Sequence, residues 1–291
     1  MEELSYWIVE TWVKTVATGE FHYKQILNGT VKPDSFGKLR RIMFDLCKAG
    51  ICEPIGRRDG YYRLISEMPE PVDWQGINPT KDFPIVLPFG LRDYVWIDPG
   101  TTIGVTGAKD SGKTLFLMLT VVLNMNNKKI KVVFISNLEE GVNQLKRRFD
   151  AMGVPSPAPF VVLQAIDNFH DFITEPDTLY VIDYIDVPES GEFYMIGPAM
   201  AKIQVKLKYS SVAVIGLQKK RGSDFAYGGE GTAKKTTLYL AMDNRKLKIV
   251  SGKVPVDPSN LPTNMQWTFK YNSTGSDFTN IERYYGEEPG F

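Results

Sequence analysis

Gly107-Ala108-Lys109-Asp110-Ser111-Gly112-Lys113-Thr114 fits the pattern G-x-x-x-x-G-K-[ST] at every fixed position. Its flanks supply the context. Ile103-Gly104-Val105-Thr106 before it reads as a strand, and Leu115-Phe116-Leu117 after it opens an apolar helical run. A glycine-rich turn between strand and helix lets backbone N–H groups close around phosphate oxygens, at a helix N-terminus whose dipole favours anions. Residues 107–114 are therefore candidate phosphate-binding positions. Lys113 would reach the β- and γ-phosphates of a triphosphate, and the Thr114 hydroxyl would ligate Mg²⁺.

Outward from this turn, apolar strands alternate with helices. Strands are expected at 102–106, 131–136, 161–164, 179–183 and 212–217, with later ones near 237–242 and 247–250. Helices are expected near 113–124, 141–152 and 198–208. Strands that are apolar throughout and separated by helices imply an α/β domain, a mostly parallel central sheet covered on both faces. Leu179-Tyr180-Val181-Ile182-Asp183 ends in a carboxylate, which makes Asp183 the second candidate Mg²⁺ ligand. Asp186 reads as a loop carboxylate.

The first 66 residues have a different grammar: helix, helix, helix, hairpin. Leu4, Trp7, Ile8, Trp12 and Val16 recur at helical spacing, a short helical piece covers 23–27, and a third helix puts Phe36, Leu39, Met43 and Leu46 on one face. Gly56-Arg57-Arg58-Asp59-Gly60 then separates two short strands as a hairpin turn would. This order resembles the winged-helix architecture, a small α+β domain. Residues 67–88 contain five prolines and read as a semi-rigid linker to the α/β domain over 89–291, with Trp74, Ile77 and Phe83 apolar enough to dock on this chain or on a neighbouring subunit.

Lys+Arg and Asp+Glu both total 34 in 291 residues, so a basic coat over the whole molecule is excluded and any DNA contact must come from local patches. Two cysteines, Cys47 and Cys52, and two histidines offer too few ligands for a zinc site or a disulfide framework. Acidic residues at the start argue against a signal peptide, and no apolar run approaches membrane-spanning length. The expectation is a cytoplasmic protein, of a bacterium or an infected host cell, with no membrane partner.

The details around the two motifs resemble the RecA superfamily, in particular DnaB-type helicases and the RadA/KaiC group. Asp98-Pro99-Gly100 is similar to the turn those proteins carry before the P-loop strand. Phe134-Ile135-Ser136-Asn137-Leu138-Glu139-Glu140 is similar to their second core strand and trailing glutamate, continued by Gln144-Leu145 and Arg147-Arg148. Val181-Ile182-Asp183-Tyr184-Ile185 resembles their Walker B strand, and Val214-Ile215-Gly216-Leu217-Gln218 the strand ending in a sensor glutamine. The likeness spans about 89–270. It implies a RecA-like P-loop core binding ATP and Mg²⁺, Glu139 polarising the attacking water with Glu140 as the alternative, and Gln218 sensing the γ-phosphate. It also implies self-association into a ring or filament in which a cation reaches a neighbour's ATP. The finger of the helicases has no clean counterpart, and Lys253 is the nearest candidate. The helicases' own N-terminal domain and linker helix are absent.

In such a core the loop after the sensor strand meets nucleic acid. Here 219–235 holds five basic residues against two acidic, with two aromatics and four glycines. Lys219, Lys220 and Arg221 could neutralise phosphates, and Phe225 and Tyr227 could stack on bases. In the N-terminal module eight basic residues face four acidic ones between Lys32 and Arg63. Lys38 and Arg41 fall on the outer face of the third helix and Arg57 and Arg58 at the wing tip, placed for single- or double-stranded DNA. The resulting expectation is a DNA-dependent ATPase that remodels or translocates DNA in replication or recombination, with phage or mobile-element origin suggested by its compactness. The alternatives are a nucleotide-switched winged-helix regulator and a helicase-loader-like ATPase.

Overall fold

The computed structural model describes residues 4–17, 19–56, 59–66, 71, 74–76, 82–185, 193–208 and 210–285. The chain divides into two units, Met1–Ile77 and Asn78–Phe291.

In the first unit, helix α1 (Tyr6–Thr15) starts at Ser5, whose Oγ accepts from the Ile8 N–H at 3.4 Å as an N-cap. Strand β1 (Glu20–His22), a 3₁₀ stretch (Tyr23–Gly29), helix α2 (Phe36–Lys48) and strands β2 (Cys52–Pro54) and β3 (Tyr61–Leu64) follow. The strands form an antiparallel sheet in the order β1-β3-β2. Leu39, Ile42, Met43 and Leu46, at helical spacing, bury one face of α2 against Val9 and Val13 of α1. Lys38, Arg41 and Lys48 lie exposed on the other. Two details depart from expectation. The piece at 23–27 is a 3₁₀ turn that loses helical geometry at Ile26, Leu27 and Asn28, and β1 adds a strand too short for periodicity to reveal. Arg57 and Arg58 lie outside the described residues.

The second unit carries β4 (Thr102–Gly107), α3 (Lys113–Asn124), β5 (Lys131–Ser136), α4 (Val142–Ala151), β6 (Val161–Gln164), β7 (Thr178–Ile185) and α5 (Ile196–Leu207). After these come β8 (Val212–Gln218), α6 (Glu230–Ala233), β9 (Leu238–Asp243), β10 (Lys246–Gly252), β11 (Gln266–Tyr271) and β12 (Phe278–Tyr284). One nine-stranded sheet runs β12-β11-β10-β9-β4-β8-β7-β5-β6, parallel from β9 to β6 and antiparallel from β9 to β12. Side chains of its central strands alternate across it up to the register shift after Ile182 in β7. Phe134, Val181 and Val214 join one core with Phe116 and Leu117 of α3, while Ile135, Ile182 and Ile215 join the other with Met200 and Ile203 of α5. That alternation makes a three-layer α/β sandwich.

The proline-rich segment is shorter as a tether than expected. Phe83, Ile85 and Leu87 are at most 4% exposed within the second unit's core. Asn124, fully buried at the end of α3, accepts from the Val86 N–H at 2.8 Å and donates to the Val86 carbonyl at 2.7 Å. Residues 82–88 therefore belong to this unit, and Phe83 docks on its own chain. Ile77 lies outside the described residues. Among those residues no helix is long and apolar enough to cross a membrane.

Candidate nucleotide site

Because β8 lies between β4 and β7, three parallel strands deliver their carboxyl ends to one edge. Gly107 stands in register with Gln218, and Ser136 with Asp183. This edge is where open α/β sheets place ligands.

The turn after β4 is shaped by its glycines. Gly112 has φ +92°, and a Cβ there would lie 2.9 Å from the Tyr271 hydroxyl, so both conformation and room require glycine. A Cβ at Gly107 would collide with Ser111 Oγ. Ser111 is 2% exposed, and its Oγ has no hydrogen-bond partner among the described residues. An unsatisfied buried hydroxyl costs about 1–3 kcal/mol, and a phosphate oxygen would relieve it. Lys109 and Asp110 are exposed at the tip. Lys113, 8% exposed, holds its ammonium 4.0 Å from the ring centroid of Tyr184.

Thr114 Oγ1 donates to Asp183 Oδ1 at 3.4 Å. Burial pushes the Asp183 carboxyl up from its ordinary range. Lys113, the Thr114 hydrogen bond and Arg148 oppose that, while Glu139 pushes the same way. A desolvated carboxylate beside a hydroxyl supplies two hard oxygens but not a complete metal cage. No cluster of three His, Cys, Asp or Glu side chains exists among the described residues. The pair fits Mg²⁺, which commonly takes one or two protein ligands and completes its shell with phosphate oxygens and water.

Glu139 and Glu140 both border a recess of about 70 Å³ with Thr114, Arg148, Asp183 and Tyr184. Glu139 Oε1 accepts from the Tyr184 hydroxyl at 2.7 Å, whereas Glu140 pairs with Arg148 at 2.6 Å. The turn that presents them holds Leu138 at φ +55°, with its N–H on Ser136 Oγ at 3.1 Å. The residues expected from the sequence thus converge, Thr114, Asp183 and Glu139 around one recess, Lys113 against the Tyr184 ring that borders it, and Gln218 beside Gly107. Tyr184 and Arg148, quoted there only within motifs, prove to be wired into it. Tyr271, against Gly112, was missed altogether, although the alternation Trp267, Phe269, Tyr271 carries a strand signal.

The expected nucleic-acid residues fare unevenly. Lys219 is corrected: its side chain is 0% exposed and its ammonium is bound to Asp243 and the Ser223 carbonyl at 2.7 and 2.6 Å, so it has no free face for a phosphate. Lys220 and Arg221 are exposed. Phe225 packs at 6.1 Å on Tyr239, and Tyr227, partly exposed, stacks at 4.7 Å on Phe193. The loop is folded, with a bridge between Lys219 and Ala226, the short helix α6 and an ion pair from Asp224 to Lys248 at 2.7 Å. Lys253 donates to the Lys234 carbonyl at 2.7 Å, and its ammonium is pushed down by partial burial and then by Lys235.

No known protein family and no curated protein matches the chain by sequence. Among solved structures it is similar to a KaiC-like protein from the hyperthermophilic archaeon Pyrococcus horikoshii, at 16% identity and a TM-score of 0.52, over 70% of this chain and all of that one. At that identity the likeness concerns architecture, and the α/β core of this chain has a RecA-like fold.

Proposed function

We propose that the chain is an ATPase of the RecA superfamily whose nucleotide cycle is coupled to DNA. One observation carries the reading: Lys113 and Thr114 at the start of α3, Asp183 in β7 and Glu139 on the turn after β5 are linked through Tyr184 and the Thr114–Asp183 hydrogen bond, beside a turn holding an orphaned hydroxyl. Lys113 and the N–H groups of the turn would bind the β- and γ-phosphates, and Glu139 would orient and accept the proton of the attacking water. Mg²⁺ held by Thr114 and Asp183 would screen the charge of the phosphates. Gln218, an amide that does not titrate, would report the γ-phosphate to the turn that begins at Lys219. Exposed Lys220 and Arg221 and the outer face of α2, with Lys38 and Arg41, are the DNA contacts in this reading, and subunits would join in a ring or filament with Lys253 the candidate cation supplied in trans.

A second reading, the nucleotide-switched regulator, is favoured by the folded state of the 219–235 loop, pinned by two ion pairs where a DNA-contacting loop was expected. ATP hydrolysis measured with and without single- and double-stranded DNA separates the two, in wild type, Lys113→Ala and a Lys220→Ala/Arg221→Ala variant. DNA stimulation lost in the loop variant supports the coupled ATPase. A DNA-independent rate, abolished only by Lys113→Ala, supports the regulator. A rate insensitive to Lys113→Ala refutes both.

A further inference from the structure

Tyr184 touches both ends of the candidate machinery. Its hydroxyl donates to Glu139 Oε1 at 2.7 Å, and the Lys113 ammonium sits 4.0 Å from its ring centroid. The two partners differ in how firmly they are held. Tyr184 is half-buried in β7 at the register shift toward β8, held between Asp183, paired with Ser136 of β5, and Ile185, paired with Leu217 of β8. Glu139 is exposed, on a turn beyond the end of β5. A carboxylate in that setting has several rotamers open to it, and a phenol held between two paired, buried neighbours selects one. The ring meanwhile offers its negative face to Lys113, a contact that direct charge pairing with phosphate would replace.

We infer that Tyr184 is a positioning residue. It aims Glu139 at the attacking water and keeps Lys113 poised over the turn until phosphate arrives. The inference rests on the ATPase reading above and assigns a residue for which the motif comparison supplied no role.

The test is steady-state MgATP hydrolysis by the full chain as wild type, Tyr184→Phe, Glu139→Gln, the double variant and Lys113→Ala. Phenylalanine keeps the ring face for Lys113 and removes only the hydroxyl, so kcat should fall about tenfold with KM within about twofold. Because Tyr184 acts through the carboxylate, the double variant should be no slower than Glu139→Gln alone. An unchanged kcat in Tyr184→Phe, or a further tenfold loss in the double variant, overturns the inference while leaving the ATPase intact. A wild-type rate no greater than that of Lys113→Ala overturns the ATPase reading and this inference together.

Discussion

Replacing Lys219 by alanine separates structure from recognition within the run Lys219-Lys220-Arg221. Lys219 has no exposed side-chain surface, and its ammonium is shared between Asp243 and the Ser223 carbonyl. Breaking a fully buried pair costs about 3–5 kcal/mol, because the surviving charge is stranded. Asp243 is 38% exposed, so water reaches it and the penalty lies at or below the lower end of that range. The Ser223 carbonyl loses its donor as well, for a further contribution of about 1 kcal/mol. A total of about 2–4 kcal/mol follows, and at about 2–4 °C per kcal/mol for a domain of this size Tm should fall by about 4–16 °C. The assay pairs thermal denaturation with single-stranded DNA binding titrated across salt concentration. Lys220→Ala and Arg221→Ala should leave Tm within about 2 °C of wild type, each flattening the logarithmic salt dependence by about 0.7. Lys219→Ala should do the reverse, lowering Tm and leaving the slope alone. A Lys219→Ala protein with wild-type Tm, or one that loses as much salt dependence as its neighbours, would refute the reasoning.

Asp183→Asn should stabilise the ligand-free chain, since burial raises the carboxyl's affinity for its proton and makes the ionised form costly. The stability held by the protonated acid is fully present below the ordinary carboxylate range and is lost as pH rises through the elevated value. The advantage of Asn in urea denaturation should therefore widen as pH rises above the ordinary carboxylate range, while the thermal shift given by Mg²⁺ with ATP disappears. Gly112→Ala should weaken MgATP binding by at least about tenfold in calorimetry, because φ +92° costs about 1–2 kcal/mol for an L-residue and the new methyl meets the Tyr271 hydroxyl. Unaltered affinity there would show that the turn does not hold phosphate. Glu140→Gln removes only a surface pair with Arg148 and should change kcat less than about twofold, whereas Glu139→Gln should cost about a hundredfold or more; reversed effects would exchange their assignments.

Most of the α/β core was legible because its strands are continuously apolar and its helices run ten to twelve residues, long enough for periodicity to speak. The antiparallel end was harder. Phe278-Thr279-Asn280-Ile281-Glu282-Arg283-Tyr284 is an edge strand in which only Phe278 is buried, so no hydrophobic pattern marks it. Its partner alternates Trp267 and Phe269 inward, a signal that was present and passed over. Within the site, the motif residues were readable because phosphate chemistry fixes both their type and their spacing. Tyr184, Arg148 and Tyr271 were not, since their roles arise from contacts across 45, 8 and 159 residues of chain. Lys219 shows the complementary error. A lysine in a basic run looks solvated, and only the fold reveals that Asp243, on the neighbouring end of β9, has claimed it.

The central claim is tested most directly by solving the full chain with MgATPγS. The account predicts β- and γ-phosphates on the N–H groups of residues 108–113, a hydrogen bond from Ser111 Oγ, Lys113 drawn off the Tyr184 ring, and Mg²⁺ between Thr114 and Asp183. A nucleotide bound elsewhere, or saturating ligand with the turn around Gly112 closed on its own side chains, would contradict it.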